Sequence, residues 1–527
     1  MSSKDTMLLR AIATITSFTL LSRVLGFVRD ACMAKVLGAG MLSDIFLIAF
    51  KIPNFFRRLL AEGAFNAAFV PLFAKAYAGE GAEDAKRFAG EALMLLLLIL
   101  SSLVLLVEVF MPYVMTVIAP GYAPGTPEFL LSVDLTRITF PYIAFVSVVA
   151  LFGGVLNTLH QFKYGAFSPT LLNLIMIASL YGFEGHFPTS AHNLAVGVVI
   201  GGVAQLLLML WALWRFKMLF APRFSCITER SKRLLRLMLP GMLGAGVFQL
   251  NVFIDTMIAT MAGEGSVSYL YFADRINQLP LGSIGIALGT ALLPMLAAQL
   301  KRDERSAAVD TYNQAVRIGL FIALPCMAAI MALGTPIIDV LFRRGAFTVE
   351  DAAQTSLTLK MFALGLPAFI LAKILTAPFF AMEDTRTPVK IAIVCVLFNL
   401  VSNLVLGLHY GLAHQGIALS TAMSGWLNVF LLHRSLKQRY AWHTTKGSKI
   451  FAAKSAVAAL ILGIVAFSAY TGLKSHIDYY ESHGGFRFLG LMLLCGLSSA
   501  SFLAACWALK LGSPRLILAQ LKRKKTA

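Results

Sequence analysis

Charge is what this chain has least of. Only 13% of its 527 residues are Asp, Glu, Lys or Arg, against about 25% in a soluble domain. That scarcity argues against an ordinary water-soluble enzyme or binding module. Cysteine is sparse as well. The six thiols (Cys32, Cys226, Cys326, Cys395, Cys495 and Cys506) form no CxxC pair, which leaves them as small packing residues. The nine histidines include no HExxH and no metal-ligand spacing, so no metal site and no cofactor is expected. A Walker A motif is missing, so the chain does not itself hydrolyse ATP by P-loop chemistry. Nor is a cleavable signal evident: Met1–Arg10 is short and polar, and the apolar stretch that follows contains arginine and continues as a long helix.

Apolar sequence is abundant. Hydrophobic residues make up 58% of the chain and the mean hydropathy is +0.77. Apolar runs of about 20 residues recur, each long enough to cross a bilayer as a helix. Leu93–Leu106 is apolar but for Ser101 and Ser102, whereas the strands of a membrane barrel alternate. The expected fold is an all-α polytopic membrane protein of about fourteen spans. The net charge of +19 would suggest nucleic acid in a soluble protein. Here it reads as loop charge that sets topology, with no nucleic-acid partner.

The loops support an even number of spans with both termini in the cytoplasm. That orientation puts Lys75, Lys86, Arg87, Lys163, the basic run Arg215–Arg236 and the tail containing Lys522, Arg523, Lys524 and Lys525 inside. The outer loops near Gly121, His186, Gly263 and Tyr410 hold no Lys or Arg; only Arg343, Arg344, Lys474 and Arg487 break the pattern.

A faint repeat runs through the chain. Gly38-Ala-Gly-Met-Leu-Ser43 returns as Gly263-Glu-Gly-Ser-Val-Ser268, Ala49-Phe-Lys-Ile52 as Ala273-Asp-Arg-Ile276, and Val70-Pro-Leu-Phe-Ala74 as Leu293-Pro-Met-Leu-Ala297. The offset of about 225 residues spans six helices, so the copies share an orientation, as in transporters with an axis along the membrane normal. Coincidence among Gly- and Ala-rich helices is the plainer alternative. The repeat predicts an N-terminal lobe over 1–222, a C-terminal lobe over 223–445, and two extra helices with a basic tail over 446–527.

Against this apolar background, Arg23, Arg29, Arg57, Arg58 and Arg275 fall in stretches that read as membrane helix. A charge in the bilayer core costs roughly 2.5–3.5 kcal/mol on insertion scales, so such residues normally face a cavity or a partner. Several guanidinium groups on one cavity suit a phosphate-bearing substrate. Arg23 and Arg29 lie roughly 240° apart on an ideal helix, and a bend at Gly26 would bring them into one cleft. The second span adds Asp44, Lys51, Pro53 and Asn54, and the eighth adds Asp274 beside Arg275. Asp44 is expected near the outer end as a latch that pairs with an arginine, and Glu62 near the inner end in the same role. Plainer readings stand beside these: Arg29 snorkelling at a helix end, Arg57 and Arg58 as a cytoplasmic flank, Asp274–Arg275 as a structural salt bridge. Asp255, Asn399 and Asn403 could bind a monovalent cation or relay a proton; helix-packing hydrogen bonds explain them nearly as well.

Here a resemblance becomes specific. Ser22-Arg-Val-Leu-Gly-Phe-Val-Arg-Asp30, Gly38-Ala-Gly40, Asp44, Ala49-Phe-Lys-Ile-Pro-Asn54, Arg57-Arg58 and Ala61-Glu-Gly-Ala-Phe65 resemble the MurJ (MviN) family, as do Tyr271-Phe-Ala-Asp-Arg275, Gly285-Ile-Ala-Leu-Gly-Thr290 and Leu293-Pro294. The resemblance covers the whole chain. It implies the multidrug/oligosaccharidyl-lipid/polysaccharide exporter fold and a flippase for lipid II in the bacterial inner membrane, serving peptidoglycan synthesis and cell shape. It also implies a cationic cavity formed by Arg23, Arg29, Arg57 and Arg275, an acidic position at Asp44, and a lipid-tail groove at the last two helices. Some members are proposed to hold sodium with acidic residues; Asn403 stands here where a second carboxylate is expected, which weakens a sodium site.

The expected mechanism is alternating access, driven by membrane potential or a monovalent cation, with lipid II and membrane lipids as partners and an association with the peptidoglycan synthesis machinery. A flippase for another undecaprenyl-diphosphate-linked glycan, such as an O-antigen lipid, is the main alternative. A cation exporter would want carboxylates in its cavity, a scaffold would not need the charges, and an enzyme would need a nucleophile or paired acid and base, of which no cluster is seen.

Overall fold

The computed structural model describes residues 3–58, 65–224, 228–479 and 484–511. Glu62 and the basic tail from Lys522 to Lys525 lie outside the described residues. The described chain is helical throughout, with no strand. Nine of the described segments are long and apolar enough to cross a membrane, from Ala82–Val109 to Gly485–Ala508. The remaining expected spans fall on helices that carry polar or charged residues at membrane depth, which lowers their hydropathy.

The chain divides into two compact units. The first takes in Met1–Ser268 and Arg344–Phe347, the second Tyr269–Arg343 and Thr348–Ala527. In the first unit, α1 (Ser3–Leu37), α2 (Met41–Phe56), α3 (Asn66–Gly79) and α4 (Ala82–Val109) are followed by the short α5 (Met111–Ile118) and then α6 (Pro127–Thr139), α7 (Tyr142–Thr158), α8 (Phe162–Gly182), α9 (Ser190–Arg215) and α10 (Glu229–Met261). α1 packs on α8, α8 on α9, and α2 on α6. A stacked ring pair, Phe69 on Phe88 at 5.6 Å, fastens α3 to α4, and Phe69 also stacks along its own helix on Phe65 at 5.3 Å and Phe73 at 5.5 Å. Such pairs add to plain area burial.

The entry to α10 is clamped to α3 and α4. Arg230 reaches Asp84 at 2.6 Å and Glu80 at 3.0 Å, and Asp84, ahead of Glu80, helps to raise the pKa of that guanidinium against burial. Thr228 caps α10 through Ser231 N and donates to Glu91 at 2.8 Å. Arg223 N donates to Gly90 O at 3.0 Å. These contacts group α10 with the first unit in this structure.

A strap from residues 344–347 also belongs to the first unit. Ala346 N donates to Lys35 O at 2.8 Å, which satisfies one of the carbonyls left open at the C-terminal end of α1. The approach needs glycine on both sides. A Cβ on Gly345 (φ +62°) would lie 2.3 Å from Lys35 O, and one on Gly38 (φ +69°) 2.7 Å from Ala346 O. Gly345→Val is therefore expected to cost about 3 kcal/mol through left-handed strain and overpacking. Thermal unfolding of the purified protein checks this; an unchanged midpoint would show that the strap yields.

The second unit continues α11 (Ser266–Pro280) from Tyr269. Then come a π turn at Leu281–Gly285, α12 (Ile286–Lys301), α13 (Arg305–Phe342), α14 (Val349–Ala363), α15 (Leu366–Ala381), α16 (Arg386–Ser402) with a π turn at Asn403–His409, α17 (Ala413–Tyr440), α18 (Lys446–Tyr479) and α19 (Gly484–Ala508). α13 is central, packing on α12, α14, α15 and α18. Small residues let α18 close on it: Ala332 and Leu333 meet Ala458, Leu462 and Ala466, with Phe502 and Cys506 of α19 in the same cluster. Where the surrounding solvent is itself apolar, close packing of this kind holds helices together. The link into α18 is nailed down as well. Trp442 is buried against Tyr312, Asn313 Oδ1 accepts from Thr445 N at 2.9 Å, and Arg317 Nε donates to Ser448 Oγ at 2.9 Å.

Candidate functional site

Helical hydrogen bonding in α1 runs unbroken through Gly26. It leaves Arg23 exposed and Arg29 buried, only 7% accessible. The structure thus separates these two arginines by environment. Arg29 donates from Nε at 3.0 Å and from Nη2 at 2.6 Å to one oxygen of Asp30. Its Nη1 donates to Asn173 Oδ1 of α8 at 3.0 Å. The ring of Phe50 lies 5.6 Å from the guanidinium carbon. A permanently charged group at membrane depth is kept there by a neighbouring carboxylate, an amide oxygen and an aromatic face.

α2 carries Pro53 inside a helix. Proline has no N–H, so the carbonyl four residues earlier, that of Ala49, loses its helical donor. Thr139 of α6 supplies one: its hydroxyl donates to Ala49 O at 2.9 Å. The interruption is thereby tolerated, and the chain turns into a wider helical turn at Arg57 and Arg58. Arg57 Nε donates to Asn54 Oδ1 at 3.1 Å, while Arg58 is exposed. Lys51 Nζ donates to Thr256 Oγ1 of α10 at 2.5 Å. The first unit therefore gathers Arg29, Lys51 and Arg57 around α2.

At the other end of α2, Asp44 has partners other than the expected arginine. Asp44 is 2% exposed. Its carboxylate accepts from Gly265 N at 2.7 Å, Ser268 N at 2.8 Å and Ser268 Oγ at 2.5 Å. The partners are main-chain and hydroxyl donors at the start of α11, not an arginine. Glu264 returns the arrangement, accepting from Met41 N, at the start of α2, at 3.0 Å. Each helix start is capped by a carboxylate from the other segment, and a negative charge at a helix N-terminus is favourable. The loop before α6 closes on the same region: Gly121 N donates to Thr260 Oγ1 at 3.1 Å.

In the second unit, half-buried Arg275 lies over the ring of Tyr271 at 5.5 Å. Asp274 accepts from Gln278 one turn on. Asn399 and Asn403 are fully buried. Asn403 Nδ2 donates to Asn399 Oδ1 at 3.1 Å, and Asn399 Nδ2 to Thr421 Oγ1 at 3.4 Å. Asp255 belongs to the first unit, where it is half-buried on α10. Among the described residues no group of three His, Cys, Asp or Glu side chains could hold a metal ion.

Charged groups engaged within apolar helices, in a chain of this span pattern, describe a transport protein. The family model for the lipid II flippase MurJ matches residues 33–476. The chain belongs to the MurJ family. A probable lipid II flippase MurJ of Rhizobium meliloti is 41% identical over 439 residues, 82% of each chain. The lipid II flippase MurJ of Burkholderia cenocepacia is 36% identical over 480 residues, 89% of this chain and 92% of its own. Among solved structures, a lipid II flippase MurJ in an inward closed conformation matches with a TM-score of 0.77 at 24% identity, covering 94% of this chain and 99% of that one. At that identity the likeness is one of fold. For a MurJ family chain, the residues that reading the sequence missed are Asp30, Asn173, Glu264 and Ser268. Asp30 and Ser268 sat in quoted motifs without a role, and Asn173 in an apolar helix reads as packing.

Proposed function

We propose that this chain carries lipid II, the undecaprenyl-diphosphate-linked peptidoglycan precursor, from the cytoplasmic to the outer leaflet of the bacterial inner membrane by alternating access. It is a multi-pass transporter, not an enzyme. The observation that carries the reading is Arg29, a buried guanidinium within a membrane helix of a MurJ family chain. Arg23 and Arg57 from the same unit and Arg275 from the second are proposed to add to it in binding the diphosphate and sugar. A ligand moves a conformational equilibrium only by its differential affinity for the two states, and neutralising several cations supplies such a difference. The Asp44 and Glu264 caps are proposed to hold the outer end closed until then. The tail of the substrate is assigned to lipid beside α18 and α19, and both termini to the cytoplasm.

Coupling to the membrane potential fits a cationic site, at about 2.3 kcal/mol per charge per 100 mV. Coupling to a monovalent cation is the second source we propose, and the peptidoglycan synthesis machinery is a proposed neighbour. The test is exposure of lipid II to an externally added enzyme that cleaves it. Depleting cells of this protein is expected to protect lipid II, and restoring the chain to reverse that protection. Unchanged cleavage in cells with no other flippase would remove lipid II as cargo.

A further inference from the structure

Asn173 touches α1 at two places. Its Oδ1 accepts from Arg29 Nη1 at 3.0 Å, and its Nδ2 donates to Ser22 O at 3.2 Å. Ser22 immediately precedes Arg23. Its carbonyl is also the one that Gly26 addresses in the helical pattern. A single amide therefore spans the glycine, from the turn carrying Arg23 to the guanidinium of Arg29. Glycine weakens a helix by about 1 kcal/mol relative to alanine, so this is the softest point of that stretch. One turn further along α8, Met176 Sδ lies 3.8 Å from the same Nη1.

We propose that Asn173 is a positioning residue for headgroup binding. It fixes the guanidinium of Arg29 and the turn that carries Arg23, and so sets the direction in which the two cations meet a diphosphate. The inference rests on the reading that Arg29 contacts the substrate. Asp30 holds Nε and Nη2 through one oxygen, about which a guanidinium can swing. The Asn173 contact at Nη1 adds a second, off-axis point. The residue must accept on one side and donate on the other, and the amide side chains of Asn and Gln present both groups in a planar fork. Aspartate keeps the shape but loses the donor to Ser22 O and adds a negative charge beside the arginine. Leucine keeps the bulk and loses both bonds.

The experiment measures lipid II binding to the full-length protein in lipid nanodiscs. It compares the wild type with Asn173→Leu, Asn173→Asp, Arg29→Ala and the double variant Arg29→Ala/Asn173→Leu, each verified as monodisperse. Asn173→Leu is expected to weaken binding about tenfold, the size of one charge-assisted hydrogen bond, and Asn173→Asp at least as much. In the Arg29→Ala background, Asn173→Leu is expected to weaken binding by clearly less than in the wild type, the remainder reporting the bond to Ser22 O that holds the turn carrying Arg23. Full affinity of both Asn173 variants, with Arg29→Ala impaired, would overturn the positioning role. Independent, additive losses would overturn it too. Full affinity of Arg29→Ala would instead remove the reading of Arg29 as a ligand. If Asn173→Leu does not fold, the isosteric Asn173→Asp carries the comparison.

Discussion

Arg29→Ala is expected to abolish flipping while the protein still reaches the membrane. The lost guanidinium makes charge-assisted bonds to Asp30 and Asn173, and the substitution does more than subtract a cation. Asp30 is fully buried and would lose the guanidinium that donates to it twice. Removing one partner of a buried charge pair costs about 3–5 kcal/mol, and the carboxylate that stays repels a diphosphate. Substrate affinity should fall by about two orders of magnitude, the scale of truncating one partner of a buried charge pair. The double variant Arg29→Ala/Asp30→Ala separates the two effects. It should recover wild-type thermal stability without recovering lipid II binding. Recovery of binding as well would mean that the arginine serves only to neutralise Asp30.

Asp44→Ala is expected to unfasten the outer end of the first unit. Three donors lose their acceptor at once: Gly265 N, Ser268 N and Ser268 Oγ. The two amides are buried residues of a helix start, where an unsatisfied group costs about 1–3 kcal/mol. Hydrogen exchange reads them directly. Amides across 263–268 should exchange roughly 10- to 100-fold faster in the variant, since each 1.4 kcal/mol of lost protection is tenfold. Asp44→Asn keeps one acceptor and should fall between. Unchanged exchange in the alanine variant would show that the helix start is held by other contacts.

Much of this was legible in the sequence, and what was missed has physical causes. Hydropathy gave the membrane class because a bilayer demands long apolar helices. Arg29 stood out because charge is expensive there. Its partner Asp30 did not, because adjacent residues on a helix do not face each other; only the length of the arginine side chain lets it fold back. The spacing of Arg23 and Arg29 did not disclose their different surroundings, one exposed and one buried on a helix that runs on through Gly26. Asp44 stood out in the sequence as an acidic residue of the second span but its partners did not, since two of the three donors are backbone amides. α2 and the α11–α12 pair read weakly as spans because they carry Lys51, Arg57 and Arg275, which lower their hydropathy.

Those backbone donors have a genetic consequence. A salt bridge broken on one side can be repaired on the other by swapping charges. Asp44 offers no such exchange, because a new side chain at Gly265 or Ser268, proline apart, leaves the donating amide as it was. A suppressor screen on Asp44→Ala should therefore return few revertants in the 263–268 segment and favour true reversion. In the partner segment, change is confined to the positions between: Glu264 and the Ser268 hydroxyl make bonds of their own, and Gly263 (φ +106°) and Gly265 (φ +82°) hold the turn.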